Sequence, residues 1–252
     1  MHNMAILPIN EPAGILVKTT CVDYPGRVAG SFFLKGCNLR CPYCYNTVLV
    51  SGTNSLESLN TVEELFAHLE KRQGILSGLV LSGGEPLLNP YTPIIIKKAK
   101  ELNYKIKIDT NGTLPDELES FINNSELKPD FIAMDIKTSP DRYAETLCSK
   151  KSVFFGNKEH FENLVKRTAA LVAKYPADQR EYRTVLVPGL ITKEDIKKIA
   201  GILPRDASWQ FAQFRNENCL DSSYNELYPY TDTETLELVE YAKSFIPKAA
   251  LR

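Results

Sequence analysis

Three cysteines of this chain, Cys37, Cys41 and Cys44, are spaced as C-x-x-x-C-x-x-C. This spacing places three thiolates on one tight loop, and soft thiolate ligands favour zinc or an iron–sulfur cluster. A structural zinc site nearly always has four protein ligands, and no fourth Cys or His lies nearby in the sequence. A cubane cluster with three protein ligands keeps one iron open for a chelating substrate. The alternative is a zinc site that takes a remote ligand such as Cys21.

Further polar segments could complete a site around the cysteines. Residues 80–86 read Val-Leu-Ser-Gly-Gly-Glu-Pro, and paired glycines let a backbone approach a ligand closely because no Cβ intervenes. Residues 108–112 read Ile-Asp-Thr-Asn-Gly, and residues 134–137 read Met-Asp-Ile-Lys. The two aspartates could hold a hard cation, and the lysine could pair with a carboxylate. A purely structural interpretation is also open, in which the glycines form a turn and the aspartates cap strands.

Short apolar runs that alternate with helical patterns predict the elements that position these residues. The predicted strands span residues 28–34, 78–81, 105–109, 131–135, 182–187 and 209–214. The predicted helices span residues 61–71, 92–102, 115–123, 158–174, 193–202 and 233–245. This alternation indicates βαβ units and a parallel sheet. We therefore expect an α/β fold, a partial (β/α)6 TIM-type barrel in a single domain, with reactive residues beyond the carboxyl ends of its strands.

Composition and charge limit the class of partner. Lys and Arg total 30 against 31 Asp and Glu, and a net charge of −1 gives no long-range field that would attract nucleic acid or an anionic membrane. No apolar run reaches the roughly 18 residues needed to span a bilayer. The first ten residues lack the basic-then-apolar order of a signal peptide. We expect a cytoplasmic protein that binds neither nucleic acid nor membrane.

The cysteine loop resembles the signature of the radical S-adenosylmethionine (SAM) superfamily. In that family three cysteines with this spacing hold a four-iron four-sulfur cluster, and the aromatic before the third cysteine, Tyr43 here, lies beside the adenine of SAM. The resemblance extends from residue 14 to about residue 241. It implies one radical SAM domain over residues 1–252, with a core at about 14–215 and a C-terminal helical extension at 216–252.

The resemblance also implies roles for residues outside the cysteine loop. In glycyl-radical-enzyme activases, the equivalents of Asp109, Thr110 and Asp135 bind a monovalent cation, and the equivalent of Lys137 binds the methionine carboxylate. No catalytic residue is implied beyond the cluster ligands. The residues expected to bind SAM are Tyr43, Ser82, Gly83, Gly84, Glu85, Asp109, Asn111, Lys137, Val187, Gln213 and Arg215.

Two regions are similar to the activating proteins of anaerobic ribonucleoside-triphosphate reductase: the Asp-Tyr-Pro-Gly run at residues 23–26, and residues 213–215 with residues 218–221. No cysteine lies between Cys44 and Cys148, so the ferredoxin-like insert of some activases is missing, and Tyr45 stands where many activases carry His. The resemblance implies an enzyme that cleaves SAM reductively to a 5′-deoxyadenosyl radical and generates a glycyl radical. Its implied partners are a glycyl-radical enzyme similar to anaerobic ribonucleotide reductase, and a flavodoxin or ferredoxin as electron donor.

Two other functions are left open by the sequence. One is a radical SAM enzyme that acts on a small molecule, similar to 7-carboxy-7-deazaguanine synthase. The other is a non-catalytic zinc or iron–sulfur binding module. The sequence assigns no role to Cys21, Cys148 or Cys219.

Overall fold

The computed structural model describes residues 7–51 and 59–252 of the chain. Their strands form a single sheet of nine. The strands are β1 (Pro12–Thr20), β2 (Ala29–Leu34), β3 (Asn60–Thr61), β4 (Gly78–Gly83), β5 (Lys105–Thr110), β6 (Phe131–Asp135), β7 (Arg180–Leu186), β8 (Trp209–Gln213) and β9 (Ala250–Leu251). Their order across the sheet is β3-β1-β2-β4-β5-β6-β7-β8-β9.

Six of these strands, β2 and β4 to β8, run parallel to one another. They correspond to the six predicted strands, and the predicted partial (β/α)6 barrel is confirmed. The edge strands extend this core: β1 pairs antiparallel with β2 and β3, and β9 pairs parallel with β8. Because β3 and β9 end the sheet formed by the described residues, the barrel is incomplete.

Helices cover the sheet between successive parallel strands. They are α1 (Thr47–Ser51), α2 (Val62–Lys71), α3 (Thr92–Glu101), α4 (Pro115–Asn123), α5 (Tyr143–Thr146), α6 (Lys158–Val172), α7 (Lys193–Ala200) and α8 (Asp232–Lys243). Thr61 and Thr192 form the capping boxes that start α2 and α7. Among the described residues, no helix is long and apolar enough to cross a membrane.

The sheet curves so that the residue after β9 contacts the loop between β1 and β2. Arg252, which follows β9, donates from Nη2 to the Val22 carbonyl at 3.2 Å, and Val22 lies between β1 and β2. Tyr24 packs edge-on against Phe131 at the start of β6, with ring centroids 5.7 Å apart. The Asp-Tyr-Pro-Gly run therefore closes the end of the barrel opposite to the carboxyl ends of its strands.

Some elements differ from the prediction. The strand β1 and the short helices α1 and α5 were not predicted, and β7 begins two residues earlier than expected and ends at Leu186. The segment 216–252, predicted as a helical extension, contains α8 but also β9, which lengthens the sheet. The parallel strands were easier to predict because both of their faces are covered, so that β2, β4 and β6 are almost continuously apolar and the others keep buried apolar residues among their polar ones.

Candidate active site at the carboxyl ends of the strands

The cysteine loop follows β2 and forms one wall of a cavity of about 500 Å³ at the carboxyl ends of the parallel strands. All three predicted ligands, Cys37, Cys41 and Cys44, line this cavity. The loop is fixed at its start by Gly36, whose N–H donates to the Leu49 carbonyl at 2.8 Å. The structure therefore brings the three predicted thiols together around one space.

A segment near the C-terminus holds the other end of the cysteine loop. The Leu220 N–H donates to the Cys44 carbonyl at 2.9 Å, and the Asp221 N–H donates to the Pro42 carbonyl at 2.9 Å. These two backbone bonds attach residues 220 and 221 to the cysteine loop. The sequence pointed to this segment only through its resemblance to a family, because a contact across more than 170 residues leaves no local pattern.

The thiols suit a cluster with three protein ligands. Burial raises the pKa of Cys41 to about 12 and that of Cys37 above its usual value, so that both are neutral thiols until a metal displaces their protons. The cavity wall that the described residues form contains no fourth cysteine and no histidine. No three His, Cys, Asp or Glu residues in the described ranges are arranged to hold a single metal ion. The donor set thus fits an iron–sulfur cluster with an open corner.

Cys21 cannot supply a fourth ligand to these thiols. It is exposed and lies between β1 and the start of β2, whereas Cys37 follows the end of β2. The six residues of β2 separate the two ends of the strand by five steps of about 3.3 Å, or roughly 16 Å. The zinc site completed by Cys21, which the sequence left open, is therefore wrong.

The paired glycines pack against the cysteine loop as well as lining the cavity. A Cβ on Gly84 would overlap the Gly36 carbonyl oxygen, and a Cβ on Gly83 would come within 2.5 Å of the Leu34 nitrogen. The Gly84 N–H donates to the Leu34 carbonyl at 2.8 Å. Ser82, Gly83 and Gly84 all line the cavity, as predicted. Glycine is required at both positions because the end of β4 passes directly against the backbone at the end of β2 and the start of the cysteine loop. The sequence alone did not indicate this reason.

Glu85, predicted to bind SAM, faces the protein interior and does not line the cavity. Its carboxylate accepts hydrogen bonds from Leu87 N at 3.1 Å, Thr110 Oγ1 at 3.0 Å and Asn111 N at 2.7 Å. Burial raises the pKa of Glu85 to about 7, although these donors oppose the shift. In the structure the Glu85 side chain joins the end of β4 to the end of β5, and its role in SAM binding stays a prediction.

Asn111 lies in the cavity wall and connects the end of β5 to the cysteine loop. Its amide nitrogen donates to Asn38 Oδ1 at 2.9 Å and lies 3.8 Å from Cys37 Sγ. The amide nitrogen of Asn38 in turn donates to Thr113 Oγ1 at 2.8 Å. Asn38 and Thr113 were not predicted as site residues, since their pairing depends on contact between two strand ends far apart in sequence.

Charged side chains extend through the barrel interior below the cysteines. This charged row consists of Lys107, Asp109, Asp135, Lys137, Glu181 and Arg183. Lys137 Nζ lies 2.9 Å from Asp135 Oδ2, and Arg183 Nε lies 2.6 Å from Asp135 Oδ1. Burial alone would raise the pKa of Asp135, but Arg183 and Lys137 outweigh it and lower that pKa. The carboxylate in turn raises the pKa of Lys137 against the effect of burial, so both are charged at neutral pH.

Arg183 is the main site residue that the sequence analysis missed. It lines the cavity and contacts both Asp135 and Asp109. A signal was available in the sequence. Glu181 and Arg183 stand two residues apart in β7, and the other residues from Tyr182 to Leu186 carry no charge. Alternate residues of a strand share a face. Two charges on one face of a buried strand indicate a polar interior.

The remaining predicted residues differ in how they are placed. Tyr43 is buried in the cavity wall, edge-on to Phe214 with ring centroids 6.5 Å apart. Gln213 and Arg215 also line the cavity, and Gln213 Nε2 donates to Asp232 Oδ1 at 3.0 Å. Val187 is fully buried and is not in the wall, so the structure does not place it where the sequence predicted.

The predicted cation ligands are all engaged by protein groups. Asp109 Oδ2 accepts from Arg183 Nη1 at 3.0 Å, and its Oδ1 lies 2.9 Å from Lys107 Nζ. The Thr110 hydroxyl donates to Glu85 at 3.0 Å. Asp135 is paired on both oxygens, with Arg183 and Lys137.

Comparison with known proteins places this site in a family. The chain is 31% identical over 242 residues, 94% of each chain, to a protein of Methanocaldococcus jannaschii that carries the provisional name of glycyl-radical enzyme activating enzyme MJ1227. It is 32% identical over 192 residues to the pyruvate formate-lyase-activating enzyme of Clostridium pasteurianum. This alignment covers 72% of this chain and 71% of that enzyme.

A solved structure shares the fold. The structure of TYW1 with a lysine-pyruvate adduct bound superposes with a TM-score of 0.56 at 15% identity, covering 86% of this chain and 73% of that one. Residues 31–203, which include the cysteine loop and five of the six parallel strands in full or in large part, match the Radical SAM superfamily. The family implies a four-iron four-sulfur cluster and SAM as cofactors, and the cavity described above has the thiols for the first. This chain is an enzyme of the radical SAM superfamily.

Proposed function

We propose that this chain is an activating enzyme that generates a glycyl radical on a partner enzyme, with SAM as its cosubstrate. The observation that carries the proposal is the similarity, over 94% of both chains, to a protein provisionally named as a glycyl-radical enzyme activating enzyme. The similarity to a pyruvate formate-lyase-activating enzyme supports the same class of reaction. Both relatives are matched over more than two thirds of their length, so the proposal concerns the chain as a whole.

The cavity residues have defined tasks in this proposal. Cys37, Cys41 and Cys44 hold the cluster, which when bound supplies the electron for reductive cleavage of SAM. Lys137, whose ammonium lies in the cavity wall, attracts the methionine carboxylate. Tyr43 forms an aromatic wall for the adenine, and the paired-glycine turn after β4 presents backbone to the amino group. The buried surroundings of these groups exclude water from the reacting atoms.

A macromolecular substrate suits the opening of this cavity. Tyr45, directly after Cys44, lines the cavity and yet is 63% exposed. A cluster ligand therefore lies beside a ring that reaches the surface, and a glycine on a protruding loop of a partner could approach the same place. The partner would also cover the mouth and complete the exclusion of water.

For the partner itself we propose an enzyme similar to anaerobic ribonucleoside-triphosphate reductase, with a flavodoxin or ferredoxin as electron donor. The support comes from sequence: the Asp-Tyr-Pro-Gly run at residues 23–26, and residues 213–215 with residues 218–221, are similar to the activating proteins of that reductase. Residues 220 and 221 hold the cysteine loop through two backbone hydrogen bonds, which connects this similarity to the cavity.

The test is electron paramagnetic resonance on oxygen-free mixtures of reconstituted protein, SAM, a chemical reductant and a candidate glycyl-radical enzyme. We expect a new organic-radical doublet whose splitting collapses when the partner's glycine is deuterated at Cα. Replacement of that glycine by Ala serves as the control and should abolish the doublet.

The alternative functions predict different outcomes of the same experiment. A small-molecule enzyme would consume a low-molecular-weight substrate with no partner present and leave every candidate partner without a radical. A binding module would form no 5′-deoxyadenosine from SAM under any condition. Either result would exclude the proposed activase.

A further inference from the structure

Arg183 occupies the place where the sequence predicted a monovalent cation. It lies on β7, directly opposite Asp135 on β6 in the register of the sheet. Its Nε donates to Asp135 Oδ1 at 2.6 Å, and its Nη1 donates to Asp109 Oδ2 at 3.0 Å. The guanidinium thus bridges two carboxylates that stand at the ends of adjacent strands.

A positive charge between these carboxylates is physically necessary. Two carboxylates that share a site repel, and one of them takes up a proton unless a cation lies between them. A guanidinium is well suited to the task, because its planar fork presents several donors and stays charged at any relevant pH. The Arg183 side chain is only 16% exposed, so water does little to weaken either ion pair.

The other oxygens of the predicted cation site are also occupied. Asp109 Oδ1 lies 2.9 Å from the Lys107 ammonium, although the two are not aligned as a hydrogen bond. Asp135 Oδ2 lies 2.9 Å from the Lys137 ammonium. The Thr110 hydroxyl donates to Glu85. A metal cation could bind these residues only by displacing a protein cation.

The charges of the row are already balanced. Its three cations, Lys107, Lys137 and Arg183, face three carboxylates, those of Asp109, Asp135 and Glu181. Lys107 completes the balance by contacting Glu181 at 3.2 Å. An additional K⁺ or Na⁺ would leave an unpaired positive charge in a buried site, which is strongly unfavourable.

We propose that Arg183 is a positioning residue that takes the place of the monovalent cation, fixing Asp135 and through it Lys137, so that SAM binding by this chain does not depend on K⁺ or Na⁺. The proposal rests on the cosubstrate role proposed above for Lys137. The cation response of the protein can nevertheless be measured without any partner enzyme.

The first experiment compares the dissociation constant of SAM for the reconstituted wild-type protein in K⁺, Na⁺ and tetramethylammonium chloride at equal ionic strength. We expect values that agree within about twofold, since a coupled cation site would change affinity by roughly 5-fold or more. Binding of thallium(I), a spectroscopic substitute for K⁺, is followed in parallel and should not saturate.

The second experiment removes the guanidinium. Arg183→Met should weaken SAM binding in tetramethylammonium by about 10-fold and regain most of it in K⁺, because the exposed pair of carboxylates now attracts a cation. Saturable thallium binding should appear in the same variant. Arg183→Lys, which keeps one positive charge, should show a smaller K⁺ response. Arg142→Met is the matched control: Arg142 pairs with Asp195 at 3.0 Å outside the cavity, and its loss should create no K⁺ response.

Two results would overturn the proposal. The first is a saturable K⁺ or thallium response in the wild-type protein, which would show a cation site beside Arg183. The second is a folded Arg183→Met protein with no cation response. If that variant does not fold, the wild-type measurement decides alone. A wild-type protein that fails to bind SAM in every salt would instead contradict the function proposed above.

Discussion

Two buried cysteines of this chain differ in their surroundings and not in their burial. Cys41 and Cys148 are both nearly inaccessible, but Cys41 lines the cavity and Cys148 does not. We therefore predict that Cys41→Ala loses the cluster because a protein ligand is missing, whereas Cys148→Ala keeps it. Iron and acid-labile sulfide per chain after oxygen-free reconstitution measure the difference. Equal iron content in the two variants would contradict the ligand assignment.

Glu85 should make the free energy of unfolding fall as pH rises towards neutrality, which is the opposite of the usual effect of a carboxyl group. Its folded pKa of about 7 lies above the ordinary value of 4.5, so the folded protein binds this proton more tightly than the unfolded chain. The resulting stabilisation is complete below the unfolded pKa and is lost as pH rises through the folded one. A shift of this size corresponds to about 3 kcal/mol.

The measurement is the free energy of unfolding of wild type and Glu85→Gln from about pH 5 to pH 8. The stability advantage of wild type over the variant should shrink as pH rises through this window. An advantage that is constant or that grows with pH would show that the three hydrogen bonds to the carboxylate, and not burial, determine its pKa.

Some site residues could be predicted from the sequence, and others could not. Lys137 and Tyr43 lie in the cavity wall, as their positions in motifs predicted. Glu85 belongs to a recognisable motif, but a motif does not state which way a side chain points. Arg183 and Asn38 were missed because their partners lie on other strands, and pairing between distant strand ends is decided by the fold.

At the scale of elements, the contact between the end of β4 and the cysteine loop determines whether the loop can be formed. We predict that Gly84→Ala destabilises the protein by about 1–3 kcal/mol and lowers cluster content, because its Cβ would overlap the Gly36 carbonyl. Gly30→Ala on β2 is the control. Its Cβ would meet its nearest neighbour, Leu76, at an ordinary 3.7 Å.

Thermal unfolding and iron content of the two glycine variants distinguish a local from a general effect. Gly30→Ala should keep its cluster and lose little stability. A Gly84→Ala protein with full iron content would mean that the crossing of the two backbones is not needed to shape the loop.

The predictability of the elements follows from their burial. The strands β5 and β6 are almost wholly buried, and the alternating isoleucines of β5 and the apolar run of β6 located them in the sequence to within a residue. The strand β1 lies near the edge of the sheet and exposes residues 17 to 19 at least in part, so its apolar pattern is broken. The two-residue strands β3 and β9 carry too few residues to show any pattern.

At the scale of the whole molecule, buried charge joins the two ends of the barrel. Lys107 on β5 is inaccessible, and its ammonium contacts Asp109, Glu181 and the Asp23 carbonyl, the last at 2.6 Å. It therefore connects the segment that closes the amino-terminal end to the charged row below the cysteines. Lys105, two residues earlier on the same strand, is 53% exposed and pairs with Asp130 at 2.7 Å.

This contrast gives a matched pair of substitutions. Lys107→Met should cost about 3–5 kcal/mol, because it leaves buried carboxylates without their partner. Lys105→Met should cost at most about 1 kcal/mol, because a solvent-exposed ion pair contributes little. Denaturant unfolding of both variants measures the difference, and similar losses would contradict a continuous charged interior.

The two mouths of the barrel have separate roles. The Asp-Tyr-Pro-Gly run, which resembles a particular group of activases, closes the amino-terminal mouth, where Tyr24 packs on Phe131. The cysteines and Lys137 lie at the opposite mouth. Residues 23–26 therefore support the proposed partner by resemblance alone, and direct contact with a partner is expected around the cysteine loop.

In the proposed function Cys37, Cys41 and Cys44 would hold the cluster and leave one iron available to the amino and carboxylate groups of SAM. Electron–nuclear double resonance tests it on the reduced, reconstituted protein with SAM labelled by ¹⁵N at the amino group and ¹⁷O at the carboxylate. We predict hyperfine coupling of both labels to the cluster in wild type. An absence of coupling, or coupling to a fourth ligand from the protein, would contradict the account.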